Sequence, residues 1–385
     1  MKRIAYISLL IFLGIACKKP YNPPAIAATG SYLVVEGVIN AGSDSTFIKL
    51  SKTVSLSSST KANPVLQAIV TVISDQRNSF PLTERGHGNY VSPGLNLDNT
   101  RKYYLSIKTL DNEQYQSDLE AVNITPPIDS VGYTMPGDGI KIYLSTHDST
   151  GITKYFRWDY RETWQFHAAY NSVYTTNGTE IIHRPRSQSI FNCFTSDTVS
   201  NIILASTADL KQGVINQIPI TQIASTSEKL ETKYSILVNQ YALTGNAYNF
   251  WVNLKTNTEQ LGSIFDAQPS TFSGNIHCTT NPTEPVLGYV SVSTVQHKRI
   301  FIANSQLPQT WFPAYLYNCQ LDSLLFCQGL GCLDEVALYL IPKGSATIPV
   351  DAIYKGGALI GYYSSTIQCL DCTLRGTLIQ PAFWK

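Results

Sequence analysis

The chain has 385 residues, of which 43% are hydrophobic and 14% charged, which is enough apolar sequence for a substantial core and more than one domain. With 28 basic and 27 acidic side chains the formal net charge is +1, and no basic cluster indicates nucleic-acid binding. The composition includes 23 tyrosines, and many short runs are rich in Tyr, Thr, Val and Ile, which favours β-strands.

The first 16 residues have the organisation of a signal peptide. Lys2 and Arg3 precede an apolar run, Ile4–Ala16, whose helical length of roughly 20 Å is too short to cross a hydrocarbon core of about 30 Å. The small residue Gly14 lies close to the expected cleavage site, and Cys17 follows it. We therefore expect cleavage before Cys17 and lipidation of its thiol, which would anchor the chain to a membrane. A plain secretory signal and an uncleaved anchor are the alternatives.

Residues 17–30 are polar and rich in proline, which predicts an extended tether behind the lipidated cysteine. Between residues 31 and 126, short strand-like runs alternate with turn clusters such as AGSDS and DNEQ, without helical periodicity. This spacing predicts an immunoglobulin-like β-sandwich. Pro126 and Pro127 mark its predicted end.

A larger β-rich domain is predicted over residues 127–385, and the run KYFRWDYRETWQFHAAY is its most conspicuous strand. At a period of two, one face of this strand carries Phe156, Trp158, Tyr160, Trp164 and Phe166. Glu162 lies on the same face and would need a hydrogen-bond partner if it were buried. We consider Glu162, Trp164 and Trp311 as ligand contacts, with core packing as the alternative for the aromatic residues.

One amphipathic helix is predicted near residues 245–262, where Ala247, Trp251, Leu254, Thr258 and Leu261 form a stripe. Gly262 is a natural stop for it. Because a single amphipathic helix must bury its stripe, we expect it to pack on a sheet.

Seven cysteines follow the lipidation site, namely Cys193, Cys278, Cys319, Cys327, Cys332, Cys369 and Cys372. In an exported protein these predict disulfides, and their odd number predicts one unpaired thiol. We expect Cys193 to pair with Cys278 and the others to pair within the carboxy-terminal cluster. A four-thiolate zinc site and a redox-active CxxC pair, Cys369 with Cys372, are the alternatives.

Catalytic motifs are not evident: the sequence has no HExxH, no GxSxG and no phosphate-binding glycine loop. A glycosidase-like pair of carboxylates could be Asp159 with Glu162, but the two should point to opposite faces of one strand. Glu259 and Asp266 flank a helix end, where hydrogen bonding is the simpler role. We therefore assign no catalytic residue, cofactor or metal ligand.

Several long runs resemble a known family. These are YSILVNQYALTGNAYNFWVNLKTNTEQLGSIF, then PVLGYVSVSTVQHKRIFI, and the terminal CLDCTLRGTLIQPAFWK. They are similar to a family of Bacteroidota outer-membrane lipoproteins, domain of unknown function 4249. YLVVEGVIN, GHGNYVS and RWDYRETWQF extend the resemblance over nearly the whole mature chain. The resemblance implies an accessory role beside a TonB-dependent receptor and carries no assigned activity.

We therefore expect a mainly β, non-enzymatic outer-membrane lipoprotein that binds a nutrient ligand of unknown class or accompanies a TonB-dependent nutrient receptor. An envelope hydrolase with its site in the second domain, and a structural or adhesive surface protein, are the alternatives. Lys18 and Lys19 stand where surface-displayed lipoproteins of this phylum carry acidic residues, so both the periplasmic and the surface-exposed face stay open.

Overall fold

The computed structural model describes residues 31–54, 63–198, 201–210, 213–259, 274–314, 317–327, 329 and 331–385. The predicted signal peptide, Cys17 and the tether lie outside the described residues. The described chain is mainly β with one principal helix, which confirms the expected fold class. None of the helices within it is long and apolar enough to cross a membrane.

The amino-terminal strands form a sheet that folds over a shared core. They are β1 (Leu33–Asn40), β2 (Thr46–Lys52), β3 (Asn63–Pro64), β4 (Ile69–Ser74), β5 (Ser79–Glu84), β6 (Asn89–Ser92), β7 (Lys102–Lys108), β8 (Gln114–Ser117) and β9 (Glu120–Ala121). The sheet runs antiparallel from β8 through β7, β4, β5, β6 and β2 to β1. Val35 and Leu50 near one end, and Val72 and Leu105 near the other, belong to one buried core. We refer to this unit as the first sandwich.

Two further sheets pack face to face as a second sandwich. The strands that follow in the chain are β10 (Ile128–Thr134), β11 (Gly139–His147), β12 (Tyr155–His167), β13 (Tyr174–Thr176), β14 (Ile181–His183), β15 (Asn192–Thr198), β16 (Ile203–Ser206), β17 (Val214–Ala224) and β18 (Lys233–Leu243). One sheet has the order β10-β11-β17, and in the other β12 lies between β18 and the pair β15 and β16. Ile142 and Leu144 of β11 share a core with Phe156 and Trp158 of β12.

The alternation predicted for β12 is confirmed. Phe156, Trp158, Tyr160 and Phe166 are each at most 4% exposed, and Glu162 is buried among them at 1%. The opposite face differs from a simple solvent face, because Arg157 and Asp159 on it are half-buried. Something therefore covers part of that face of β12.

The predicted helix is present as α1 (Gly245–Glu259). Thr244 caps its start, because its hydroxyl accepts a hydrogen bond from the Ala247 amide at 3.2 Å. Ala247 and Phe250 are buried, and Trp251 and Leu254 pack against the same cluster. The helix contacts β12, β16 and β18, so the expected packing on a sheet is confirmed. Thr258 is exposed, and the predicted stop at Gly262 lies outside the described residues.

The remaining elements are β19 (Ile276–Cys278), β20 (Ser291–Ser293), β21 (Val295–Ala303), β22 (Asp322–Leu325), α2 (Glu335–Tyr339), β23 (Thr347–Lys355), β24 (Ala358–Thr366) and α3 (Ile367–Leu370). β21 adds to the second sandwich beside β18, whereas β19 and β20 return to the first sandwich. β19 pairs with β8, and β20 pairs in parallel with β1. Residues 31–126 are therefore not the whole of the first sandwich, which corrects the predicted boundary. Three-residue strands carry too little periodicity to reveal such distant pairing.

Residues 287–288 run directly beside β1, with almost no space between the two backbone segments. The Val35 amide donates to the Leu287 carbonyl at 2.8 Å, and the Leu287 amide donates to the Leu33 carbonyl at 2.9 Å. Gly288 follows with φ of +133°, and a Cβ atom placed on it would lie 2.1 Å from the Val35 oxygen. Only glycine suits this position, because it combines a positive φ with direct backbone contact.

The carboxy-terminal lobe, formed by the described residues between 317 and 372, contains a small sheet of order β22-β24-β23. Disulfides join Cys319 to Cys369, Cys327 to Cys332, and Cys193 of β15 to Cys372. The predicted Cys193–Cys278 bond is wrong, because Cys278 lies on β19 in the first sandwich while Cys193 lies on β15. Cys278 is the buried free thiol, so the prediction of an unpaired cysteine is confirmed. The zinc and CxxC redox alternatives are contradicted, because their sulfurs form these bonds.

Candidate ligand-binding groove

Glu162 is held by two partners inside the second sandwich. The Tyr234 hydroxyl donates to its Oε1 at 2.6 Å, and the Lys229 ammonium donates to its other oxygen. Burial raises the pKa of the Tyr234 hydroxyl, and the Glu162 charge adds to that shift. The predicted need of Glu162 for a hydrogen-bond partner is therefore confirmed.

Trp164 belongs to the same network. Its indole N–H donates to Glu228 Oε1 at 3.2 Å, and the Lys229 ammonium lies 5.0 Å from its ring centroid. Glu228 also pairs with Arg375 near the carboxyl end, so the network fastens that end of the chain to β12. Trp311 packs half-buried against the same core. The groove described next does not include Glu162, Trp164 or Trp311, so their ligand contact stays a prediction.

A groove of about 1090 Å³ lies where the outer face of β1 and β2 faces the outer face of β12, β18 and β21. Helix α1 and residues 287–289 complete its walls. The groove therefore opens onto the face of β12 that carries the half-buried Arg157 and Asp159. Pockets between packed units are common places for ligand sites.

On the second sandwich, strand register places the groove side chains in rows. Arg157, Tyr241 and Val295 are neighbours across β12, β18 and β21, and the next row is Asp159, Asn239 and His297. Paired residues in adjacent strands point to the same side of a sheet. Six side chains from three strands therefore converge on one wall.

Arg157 is enclosed by two aromatic rings in this wall. Its guanidinium carbon lies 4.5 Å from the Tyr241 ring centroid and 4.3 Å from that of Trp251 on α1. Its Nη2 donates to Asp159 Oδ2 at 3.4 Å, and Asn239 Nδ2 donates to Asp159 Oδ1 at 2.8 Å. Burial raises the pKa of the Tyr241 hydroxyl, with the Asp159 charge as the next cause. The wall is therefore a fixed polar cluster with aromatic sides.

The facing wall, on the first sandwich, is more open. Phe47 of β2 is 61% exposed, and its cross-strand neighbour on β1 is Val38. The next pair on the same face is Lys49 with Glu36, whose charged atoms are 3.4 Å apart. An exposed phenyl ring beside a sheet face provides a flat apolar surface that a ligand can cover.

One ion pair joins the two walls. His297 of β21 lies 3.5 Å from Asp44, which belongs to the turn between β1 and β2, and both side chains are about half exposed. Arg299, further along β21, donates to Ser235 Oγ at 3.0 Å and stacks 3.6 Å above the Phe383 ring. Burial, followed by the charge of Arg161, lowers the pKa of Arg299. Both basic groove residues of β21, His297 and Arg299, thus have partners within the protein.

The sequence predicts only some of the residues that line this groove. The alternation in β12 places Arg157 and Asp159 on the face opposite the aromatic row, and nothing local indicates what lies against that face. The only signals are an Arg-Asp pair opposite an aromatic row and Trp251 on the helix stripe. Phe47 carries no distinguishing signal, since an exposed phenylalanine on a strand is common.

The fold and the groove together define a β-rich protein of two joined sandwiches with a ligand-sized space between them. The chain belongs to the family described as domain of unknown function (DUF4249), whose model matches residues 18–299. None of the curated proteins matches the chain. Among solved structures, a Bacteroides uniformis protein provisionally described as carbohydrate-binding matches 56% of this chain and 91% of its own, with 10% identity and a TM-score of 0.13. A TM-score this low transfers neither fold nor ligand.

Proposed function

We propose that this protein is a lipid-anchored outer-membrane protein that binds a nutrient ligand in the groove and assists a TonB-dependent receptor. The observation that carries the binding role is the groove itself. It has a volume of about 1090 Å³ and is lined by an exposed aromatic ring and a fixed polar cluster. This volume is slightly above the range of about 300–1,000 Å³ typical of small-molecule sites.

The state of the groove carboxylates supports binding over catalysis. Asp159 accepts hydrogen bonds from Asn239 and Arg157, while Glu36 and Asp44 form ion pairs with Lys49 and His297. A general acid or base needs a side-chain atom that is free to reach the reacting proton of the substrate. These three carboxylates already have protein partners in the groove.

The proposed membrane anchor rests on the sequence of residues 1–17. It is tested by measuring whether a fatty acid is attached to the protein. Cells producing the full chain are fed an alkyne-tagged fatty acid, and the protein is recovered and examined for label. We expect Cys17→Ala to abolish labelling and to leave the precursor uncleaved. Cys278→Ala is the matched control, since that thiol is buried in the first sandwich and should leave labelling unchanged. Label retained in Cys17→Ala would contradict the anchor.

The receptor part is tested by co-purification. The full chain, tagged at its carboxyl end, is extracted from native outer membranes in mild detergent, and its partners are identified by mass spectrometry. We expect a TonB-dependent receptor in near-equal amount. Recovery of the chain without any receptor, under conditions that preserve a known receptor complex, would count against this part.

A further inference from the structure

We propose that the groove binds an uncharged oligosaccharide, stacked on Phe47 and Trp251 and hydrogen-bonded by Arg157, Asp159 and Asn239. This inference rests on the binding role proposed above and adds the chemical class of the ligand. Three independent properties of the groove support it: its charge balance, the pairing of its strands, and the placement of its aromatic and planar polar side chains.

The charged side chains of the groove largely neutralise one another. Its lining contains three acidic and three permanently basic residues, together with His297. Glu36 pairs with Lys49, Asp159 with Arg157, and Asp44 with His297. A site for an anionic or cationic ligand would present an excess of the opposite charge. The balance found here favours an uncharged polar ligand.

The groove walls offer side chains and little free backbone. β1 is paired with β2 and β20, β2 with β1 and β6, and β18 with β12 and β21, while β12 has partners on both edges. An extended peptide usually binds by adding a strand to an exposed sheet edge, where main-chain groups give the affinity. These four strands therefore provide no free edge, which favours a ligand recognised through side chains. Among the described strands that line the groove, β21 is at the end of its sheet and has one free edge.

The remaining lining has the features that sugar rings require. A pyranose has apolar C–H faces and an equatorial rim of hydroxyl groups, so aromatic rings cover its faces while planar amide, carboxylate and guanidinium groups bond its rim. Phe47 is 61% exposed on one wall, and Trp251 lines the other beside the Arg157–Asp159–Asn239 cluster. Asp159 retains 34% exposure of its side chain, so it can accept further hydrogen bonds. The volume suits several sugar units.

The test is native affinity electrophoresis of the full mature protein in gels containing one polysaccharide each. The neutral probes are dextran, levan, arabinoxylan and galactomannan, and the charged probes are polygalacturonate and chondroitin sulfate. We expect at least one neutral polysaccharide to retard the protein. Phe47→Ala should weaken that retardation about 2- to 10-fold, which is the usual value of one aromatic contact. Phe312→Ala is the matched control, because Phe312 is 72% exposed and lies outside the groove.

Trp251→Ala serves as a second variant, with circular dichroism to verify its fold, since Trp251 also packs on Arg157. Absence of retardation by all four neutral probes would overturn the proposal, as would retardation by charged probes alone or equal effects of Phe47→Ala and Phe312→Ala. Titration with tetra-alanine tests whether the groove binds a peptide instead. Tight binding of that peptide would also overturn the oligosaccharide proposal. If no polysaccharide retards the protein but a receptor co-purifies with it, the oligosaccharide proposal is wrong and the accessory role is still supported. The two experiments therefore test the two proposals separately.

Discussion

The first sandwich and the carboxy-terminal lobe are stabilised in different ways. Among the described residues, the core of the first sandwich contains 21 buried side chains, whereas the cluster around the lobe's sheet contains three, Val336, Leu340 and Tyr362. Each of the three disulfides has at least one cysteine in the lobe, while the first sandwich has a free thiol, Cys278. A small unit cannot bury enough apolar surface to hold itself together, and covalent links compensate. The comparison shows that oxidising conditions, which keep these disulfides formed, matter most for the lobe.

The largest expected effect comes from removing the bond between β15 and the end of the lobe. Cys193→Ser combined with Cys372→Ser should lower the free energy of unfolding of the lobe by about 2–5 kcal/mol. The reason is that Cys193 and Cys372, which are 179 positions apart, would no longer be linked in the unfolded chain. Hydrogen exchange read peptide by peptide measures the change. The amides of β1 and β2 should keep their protection, and an equal loss in both units would refute the comparison.

A medium effect is expected from Gly288→Ala in the first sandwich. The added Cβ would lie 2.1 Å from the Val35 oxygen, at a φ of +133° that alanine disfavours. Crowding of this kind costs about 1–3 kcal/mol. Chemical denaturation measures the loss, and Gly329→Ala is the control, because a Cβ at Gly329 meets no atom within 4 Å. Equal stability of both variants would show that the contact with residues 287–289 does not support β1.

The smallest expected effect is a pH dependence between β10 and β11 of the second sandwich. The His147 Nδ1–H group donates a hydrogen bond to Asp129 Oδ2 at 2.8 Å, which raises the pKa of His147 above its ordinary value of 6.5. Stability from this pair is thus fully present below about pH 6.5 and is lost as the pH rises through the higher folded pKa. NMR titration of the imidazole measures this pKa. Asp129→Asn should return it toward 6.5, and an unchanged value would exclude Asp129 as the cause.

Features with a local period are predictable from the sequence. The alternation in β12 predicts its buried aromatic face and the need of Glu162 for a partner, and the spacing of Ala247, Trp251 and Leu254 predicts α1 and its packing on a sheet. Phe250 is buried as well, although it does not belong to the apolar stripe predicted for the helix. Each of these features depends on residues within one element, where geometry follows directly from spacing.

The groove and the disulfide pattern depend on residues that only the tertiary fold brings together. Asp44 meets His297 because two sheets face one another, and no spacing in the chain expresses that. Cys193 and Cys372 are joined for the same reason, and seven cysteines allow too many pairings for sequence to select one. Arg157 is half-buried because Tyr241 of β18 and Trp251 of α1 enclose it, and these residues are also far from it in the sequence.

Because β1 pairs in parallel with the distant β20, the first sandwich cannot be completed until both segments of the chain have emerged. During the proposed export the amino end crosses the inner membrane first, so β1 and β8 emerge well before residues 276–293. Until those residues arrive, β1 and β8 present unpaired edges that other strands can join. The first sandwich is thus completed only after most of the chain has followed. A chain ended after residue 126 would keep both edges open and should aggregate, so the whole protein is the proper unit for production and secretion.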